Sequence, residues 1–352
     1  MAVDEGKWLD SRAFGDGVAL CQTIPGATAM QVAAYVGFRV GGIAGAAASF
    51  IGFGLPAFLL MIILSVLYAR SYMLPPVAAI LTGLQVIVVA IVANATVSFG
   101  RTSLKRVGDV VVAVIAAGLF GLRVSPILVI VLGALLGCLV CKEDRVKDLT
   151  PAALTDSHFE RHFVMIAAIA ALGLVLLLLW DPMLFDLAIV MLKVDLFAFG
   201  GGFASVPVMY HEIVEVRSWI DSQTFLNGIA LGQITPGPIV ITATFVGYIV
   251  SGMAGAVAAT LSIFLPSFLL VIGTARYFDR LRSLTFVKKA LNGILACFIG
   301  LLLVVTFRFA SDIPWDSLRV VLGAVAFAAL LSKVELIWVV LGGTAVSAIV
   351  FR

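Results

Sequence analysis

Two stretches carry residue types and spacings suited to chemistry. One is Gly200-Gly201-Gly202-Phe203-Ala204-Ser205-Val206-Pro207; the other is Gln233-Ile234-Thr235-Pro236-Gly237-Pro238. Both interrupt strongly apolar sequence. Consecutive glycines let a backbone approach a ligand closely and adopt positive φ. A helix that starts after Pro236-Gly237-Pro238 offers amides without intrahelical partners and a partial positive charge, which suits an anion. Proline fits such a start because its missing amide would be unpaired there anyway. Ser205, Gln233, Thr235, Thr242 and Thr244 add neutral donors, as do Gln22, Thr23, Thr28 and Gln31 around Pro25-Gly26. The candidate ligand-binding residues are therefore Gly200, Gly201, Gly202, Ser205, Pro207, Gln233, Thr235, Pro236, Gly237 and Pro238, with Gln22, Thr23, Pro25 and Gly26. The competing reading is close packing of small residues around a kink.

Three ionisable residues lie near these breaks. Lys193 and Asp195 fall inside an apolar segment, where charges mark function by default, here charge balance or proton coupling. Two positions apart on a helix, they do not share a face, and pairing with other helices is the structural alternative. Glu212 is a further coupling candidate, although an exposed loop carboxylate is the simpler expectation. His211-Glu212-Ile213-Val214-Glu215 begins like a zinc-protease helix but lacks the second histidine. Cys138-Leu139-Val140-Cys141 has no second ligand pair to complete a zinc site, so two small residues closing a helix is the better reading. No nucleotide-binding loop is present, so a driving force would be an ion gradient. No cofactor is expected.

The elements that must hold these residues are membrane helices. The chain of 352 residues is 62% hydrophobic and 12% charged, with a mean hydropathy of +1.16. Soluble domains carry about 25% charged residues. Long apolar runs exclude a β-barrel, whose strands alternate. In lipid, unpaired backbone amides cost several kcal/mol each, so broken helices survive only inside protein or along a wet cavity. The breaks thus mark a site. The net charge of +3 is small and the basic residues sit between apolar runs, which leaves no surface for nucleic acid.

In chain order, residues 1–17 read as an amphipathic or loop segment, followed by the interrupted stretch 20–37. Expected spans are 43–68, 77–98, 163–180, 183–200, 225–250, 253–275 and 287–309, since about 20 residues cross a bilayer. The short apolar pairs 110–122 with 126–140, and 317–331 with 335–351, are either two thin tilted helices or a shallow hairpin. The stretch 211–223 reads as polar, and the one long hydrophilic linker runs from Cys141 to His162.

The halves repeat. Trp8-Leu9-Asp10-Ser11 matches Trp219-Ile220-Asp221-Ser222, and at that offset Gln22 pairs with Gln233 and Pro25-Gly26 with Pro236-Gly237. One deleted residue later, Gly37, Gly42, Gly45 and Leu55-Pro56 pair with Gly247, Gly252, Gly255 and Leu265-Pro266. Matching breaks in duplicated halves are the mark of a repeat-built transporter, with its site between the repeats. An odd number of apolar segments separates equivalent spans, which makes the repeats inverted provided every segment crosses. Fifteen basic residues fall on one side and seven on the other, and the richer side should be cytoplasmic. The expected division is an N-terminal repeat over 1–141, a cytoplasmic linker over 142–162 and a C-terminal repeat over 163–352. The second repeat carries 183–200 and the triple glycine ahead of its tryptophan. Symmetry leads us to expect a counterpart upstream of Trp8, hence a truncated or misassigned start.

Phe199-Gly200-Gly201-Gly202 with Pro207, Glu212 and Trp219 resembles the chromate ion transporter family. The resemblance continues through Gln233-Ile234-Thr235-Pro236-Gly237-Pro238, Ala243-Thr244-Phe245-Val246-Gly247-Tyr248, Gly252, Gly255 and Leu265-Pro266-Ser267. It covers essentially the whole chain and is most specific in the second half. The first half departs by lacking the leading glycine segment and by reading Pro25-Gly26-Ala27 where Pro-Gly-Pro is usual. The resemblance implies efflux of chromate, an oxyanion shaped like sulfate, from the bacterial cytoplasm. Composition already gives an all-α polytopic protein of the cytoplasmic membrane, a proton is the candidate coupling ion, and a second copy of the chain, as a homodimer, is a candidate partner. The alternatives are a transporter of sulfate or another anion, or a truncated, non-transporting membrane subunit.

Overall fold

The computed structural model describes residues 8–140, 157–275 and 285–351. They form thirteen α-helices and no strand. In order these are α1 (Ser11–Thr23), α2 (Thr28–Ser71), α3 (Pro75–Ser103), α4 (Val107–Gly121), α5 (Pro126–Val140), α6 (Ser157–Trp180), α7 (Pro182–Leu196), α8 (Ser205–Tyr210), α9 (Ser222–Ile234), α10 (Thr242–Ala275), α11 (Thr285–Ser311), α12 (Ser317–Leu331) and α13 (Leu336–Val350). A 3-10 turn, Gly202–Ala204, leads into α8, and a π-helix, His211–Val216, continues it. Five helical stretches are long and apolar enough to cross a membrane, and many of their apolar side chains face outward, as lipid-facing surfaces do. The protein is a polytopic all-α membrane protein.

The repeat seen in sequence is repeated in backbone detail. Asp10 caps α1 by accepting from the Ala13 amide at 2.6 Å, and Asp221 caps α9 by accepting from Thr224 at 2.7 Å. Both helices have 13 residues. Arg123 (φ 65°) turns α4 into α5, and Lys333 (φ 64°) turns α12 into α13. Each short pair is therefore a tight helical hairpin. At 15 residues per helix, its arms are about 22 Å long.

Helices α2 and α10 each fold back on themselves. Gly42 has φ 61° and ψ −149°, and Gly252 has φ 60° and ψ −147°, a region open only to glycine. A Cβ on Gly37 would collide with the Gly45 carbonyl, and one on Gly247 with the Gly255 carbonyl. In a straight helix residues eight apart are about 12 Å apart, so each arm lies against its neighbour and backbone meets backbone. The same logic applies one element earlier. A Cβ on Gly17 would collide with the Tyr35 ring, and a Cβ on Gly228 with the Phe245 ring. Helix α1 and the first arm of α2 thus form a re-entrant hairpin with Pro25-Gly26 at its tip. Helix α9 and the first arm of α10 form its equivalent, with Pro236-Gly237 at the tip.

Two expected spans are corrected by this arrangement. The stretch 225–250 is not one span: α9 ends at Ile234, because Pro236 and Pro238 cannot donate to a helical ladder, and a new helix starts beyond them. The stretch 183–200 is helical only to Leu196; Gly200 (φ 91°) and Gly201 (φ 103°) then break it. Nor is 211–223 a polar loop. His211, Glu212 and Ile213 are buried within the π-helix. The start of the chain to Lys7 and most of the linker from Cys141, with Cys141 itself, lie outside the described residues.

The halves are interlocked. Helix α3 packs on the α12–α13 hairpin of the other half, and α11 packs on α4–α5. At the first junction Gly83 faces Ser347 and Gly343 faces Ile87; at the second Gly293 faces Gly137 and Gly133 faces Cys297. These are equivalent positions. Small residues here let helices approach closely, the usual device where lipid removes the hydrophobic drive between helices. Thr96 of α3 meets Thr306 of α11 at 3.5 Å, and Gly100 faces Ile299. Moving up α3 means moving down α11, so the two equivalent helices are antiparallel. The repeats are therefore inverted. Gln85 of α3 donates to Asn227 of α9 at 2.9 Å, and Asn227 donates to the Tyr68 hydroxyl at 3.2 Å, which ties the second hairpin to the first half.

Candidate functional site

Three broken segments converge: the first tip (residues 24–27), the second tip (235–238) and the glycine segment (197–202). The Gly26 amide donates to the Ala198 carbonyl at 2.9 Å. A Cβ on Gly201 would lie 3.7 Å from Thr28 Oγ1, and one on Gly202 would lie 2.8 Å from Ile239 Cγ2. The glycine segment thus runs from one tip to the other, and side chains there would separate the segments. Each tip also rests on the residue that follows the helical proline of the opposite half. Gly26 abuts Ser267, next to Pro266, and Gly237 abuts Ala57, next to Pro56.

The first tip is buried and polar. Ser267 Oγ accepts from the Ala27 amide at 3.1 Å and from Gln31 Nε2 at 3.4 Å, and Gln31 Nε2 also donates to the Pro25 carbonyl at 2.6 Å. The Ser267 amide in turn donates to Asp195 Oδ2 at 2.8 Å. Gln31, Asp195 and Ser267 are all fully buried. Gln31 Oε1 and Asp195 Oδ1 have no hydrogen-bond partner among the described residues.

The second tip is open. Pro236 and Gly237 are exposed, and the 3-10 turn Ile239–Ile241 leads from it into α10. Gln233 Nε2, at the end of α9 beside this tip, is a buried donor without a partner. Several expected hydroxyl donors are already engaged in this conformation. Ser205 donates to the Gly202 carbonyl at 2.6 Å, Thr23 to Leu20 at 2.7 Å, and Thr235 to Gly232 at 2.8 Å. Thr242 donates to Ile239 at 2.8 Å, and Thr244 bonds with Thr260. These groups shape the ends of the broken helices. What remains for a ligand is Gln233, the first-turn amides and the glycine backbone. Pro207 is buried within α8, and Gln22 is exposed on α1. A cavity of about 10 Å³ touches Gly200, lined also by Phe99, Phe199, Leu295 and Phe298. It holds about one water, so no oxyanion passes on that side in this conformation.

The ionisable candidates separate. Asp195 belongs to the first tip. Lys193 is half-buried on the same helix and does not pair with it. Glu212 is not an exposed loop carboxylate: it is buried and salt-bridged to Arg217, whose guanidinium lies 5.3 Å from the centre of the Trp219 ring. Burial there follows from the π-helix, which turns His211 and Glu212 inward. A neighbouring network joins His211 Nδ1 to Glu215 at 2.8 Å and Glu215 to Arg308 at 2.7 Å. Arg308 also donates to the Phe120 carbonyl at 2.7 Å, at the end of α4. Sequence reasoning named Ser267 only as part of the Leu265-Pro266-Ser267 motif, and gave neither it nor Arg308 a role. Ser267 had a legible signal, since it follows the matched proline and differs from its counterpart Ala57. Arg308 had none.

The sequence model described as Chromate transporter matches residues 1–138 and 185–348. An uncharacterized transporter of Methanocaldococcus jannaschii is 44% identical over 346 residues, 97% of this chain and 85% of the relative. Chromate transport proteins of Cupriavidus metallidurans and Pseudomonas aeruginosa are 30% and 31% identical. They align over 91% and 88% of this chain, and over 79% and 74% of their own lengths. No solved structure matches. With both halves matched, the chain belongs to the chromate transporter family.

Proposed function

We propose that this protein exports chromate or a related oxyanion across the cytoplasmic membrane by alternating access, driven by an ion gradient. The observation that carries the reading is the pair of inverted re-entrant tips flanking a glycine segment, with the buried, unpaired donor of Gln233 just behind the exposed tip. Inverted repeats give a transporter two equivalent gates, and rocking one repeat against the other exposes a fixed central site to each side in turn. Amides and a carboxamide suit a tetrahedral dianion. They stabilise its charge without a fixed cation, so release stays possible. Relatives named as chromate transport proteins support the choice of anion. Of the three ionisable candidates, Asp195 is the best placed for coupling, because Glu212 is held in an ion pair and Lys193 is only half-buried.

The test is flux in proteoliposomes, comparing chromate with sulfate, with and without an imposed proton gradient. Chromate flux that responds to the gradient is expected. Pro236→Ala and Gly201→Leu should abolish it while membrane insertion is unchanged. Undiminished flux in both variants would overturn the site.

A further inference from the structure

The fold repeats at the two tips, but the polarity does not. Where Gly237 rests on Ala57, the equivalent Gly26 rests on Ser267, and only there do a carboxylate and a carboxamide join the contact. The orientation of Gln31 is fixed. Its Nε2 faces the Pro25 carbonyl at 2.6 Å, and a carbonyl can only accept. Its Oε1 is therefore an acceptor, and it has no donor. Asp195 Oδ1 is a second acceptor without a donor, on a side chain held by the same serine. Two unpartnered acceptors buried around one residue are costly as they stand. One proton resolves both, since a protonated carboxyl is a donor.

We propose that Asp195 carries a proton shared with Gln31 Oε1, which makes the sealed first tip the proton site of this protein. The inference deepens the transport reading and rests on it for its purpose: the anion meets donors at the second tip and the proton meets acceptors at the first. No charged side chain bears on Asp195 among the described residues; α10 contributes the amide and hydroxyl of Ser267, Gln31 of the first tip bonds to that same hydroxyl, and Lys193 on its own helix does not pair with Asp195. Protonation forms an O–H bond with a proton taken from water. Its loss leaves a buried carboxylate facing a carboxamide oxygen, which opposes closure of the tip on Ala198 and Ser267. Release of the proton is thereby linked to opening of the first tip.

The experiment is an infrared titration of the full-length protein in lipid, following the carboxylic-acid carbonyl band. The wild type should show a protonated-acid band at neutral pH. Asp195→Asn should remove it, and Gln31→Leu should move it to higher frequency, because the acid loses its acceptor. Asparagine keeps the oxygen that accepts from the Ser267 amide. If that variant fails to assemble, the Gln31→Leu shift decides the matter by itself. Absence of the band in the wild type, or a band unchanged by Gln31→Leu, would sink the proposal. Bleaching of the band by sodium at fixed pH would also overturn it, in favour of a metal cation. Chromate and sulfate binding, measured by calorimetry on the same samples, separates the two readings. Lost anion binding with the band intact removes the transport reading alone, and the reverse removes the proton site alone.

Discussion

Thr96 and Thr306, equivalent residues of the two repeats, touch each other at 3.5 Å where α3 crosses α11. A residue that meets its own counterpart lies on a symmetry axis. Each hydroxyl donates to its own helix, Thr96 to Val92 at 2.8 Å and Thr306 to Leu302 at 2.7 Å. The contact therefore marks the axis without holding it together. Thr96→Cys with Thr306→Cys, in a background lacking the native cysteines, should crosslink readily with a short thiol reagent. Cleavage of the 142–162 linker followed by denaturing electrophoresis reads this out. Separate halves after treatment would contradict the antiparallel crossing.

Gly42 and Gly252 should be irreplaceable for a backbone reason. Nothing lies within 4 Å of a Cβ at either position, so only the dihedral angles object. Gly42→Ala and Gly252→Ala should each cost about 1–3 kcal/mol, seen as a lower melting temperature in detergent. Gly41→Ser is the control: its counterpart is Ser251, with nearly the same dihedrals. It should melt like the wild type.

Gln233 holds a buried, unpaired donor just behind the exposed tip. Gln233→Glu replaces it with a negative charge facing the incoming dianion. Chromate affinity should fall about tenfold or more, equivalent to roughly 1.4 kcal/mol, while the melting temperature holds. Equal affinity by calorimetry would remove Gln233 from the site.

Arg308 fastens the π-helix to the end of α4 through Glu215 and the Phe120 carbonyl. Arg308→Ala should lower stability by about 2 kcal/mol, the scale of hydrogen bonds to a charged group. Adding Glu215→Gln should recover part of that loss, because the abandoned carboxylate is then neutral. A cycle of unfolding measurements over the two single variants and the double variant checks the coupling.

Much of this architecture was legible in the chain. Paired tryptophans, glutamines and Pro-Gly steps located both tips, since local backbone rules act through sequence: proline ends a ladder and glycine alone takes positive φ. Segment parity foretold inversion on the condition that every apolar segment crosses; the α3–α11 crossing bears out the inversion, while 225–250 breaks the condition. Apolar length misled at 225–250, because hydropathy is blind to a chain that turns back inside the membrane.

Sequence alone determined that this is a duplicated, broken-helix membrane protein and where its breaks fall, because helix formation and helix breaking are local. Only the tertiary structure decided which break faces which. It set Gly26 on Ser267 and Gly237 on Ala57, buried Glu212 against Arg217, and brought Asp195 and Gln31 to the same serine, Ser267. Those pairings join residues far apart in the chain. They depend on how close-packed glycines let helices of opposite repeats approach, a property of the assembled bundle rather than of any segment.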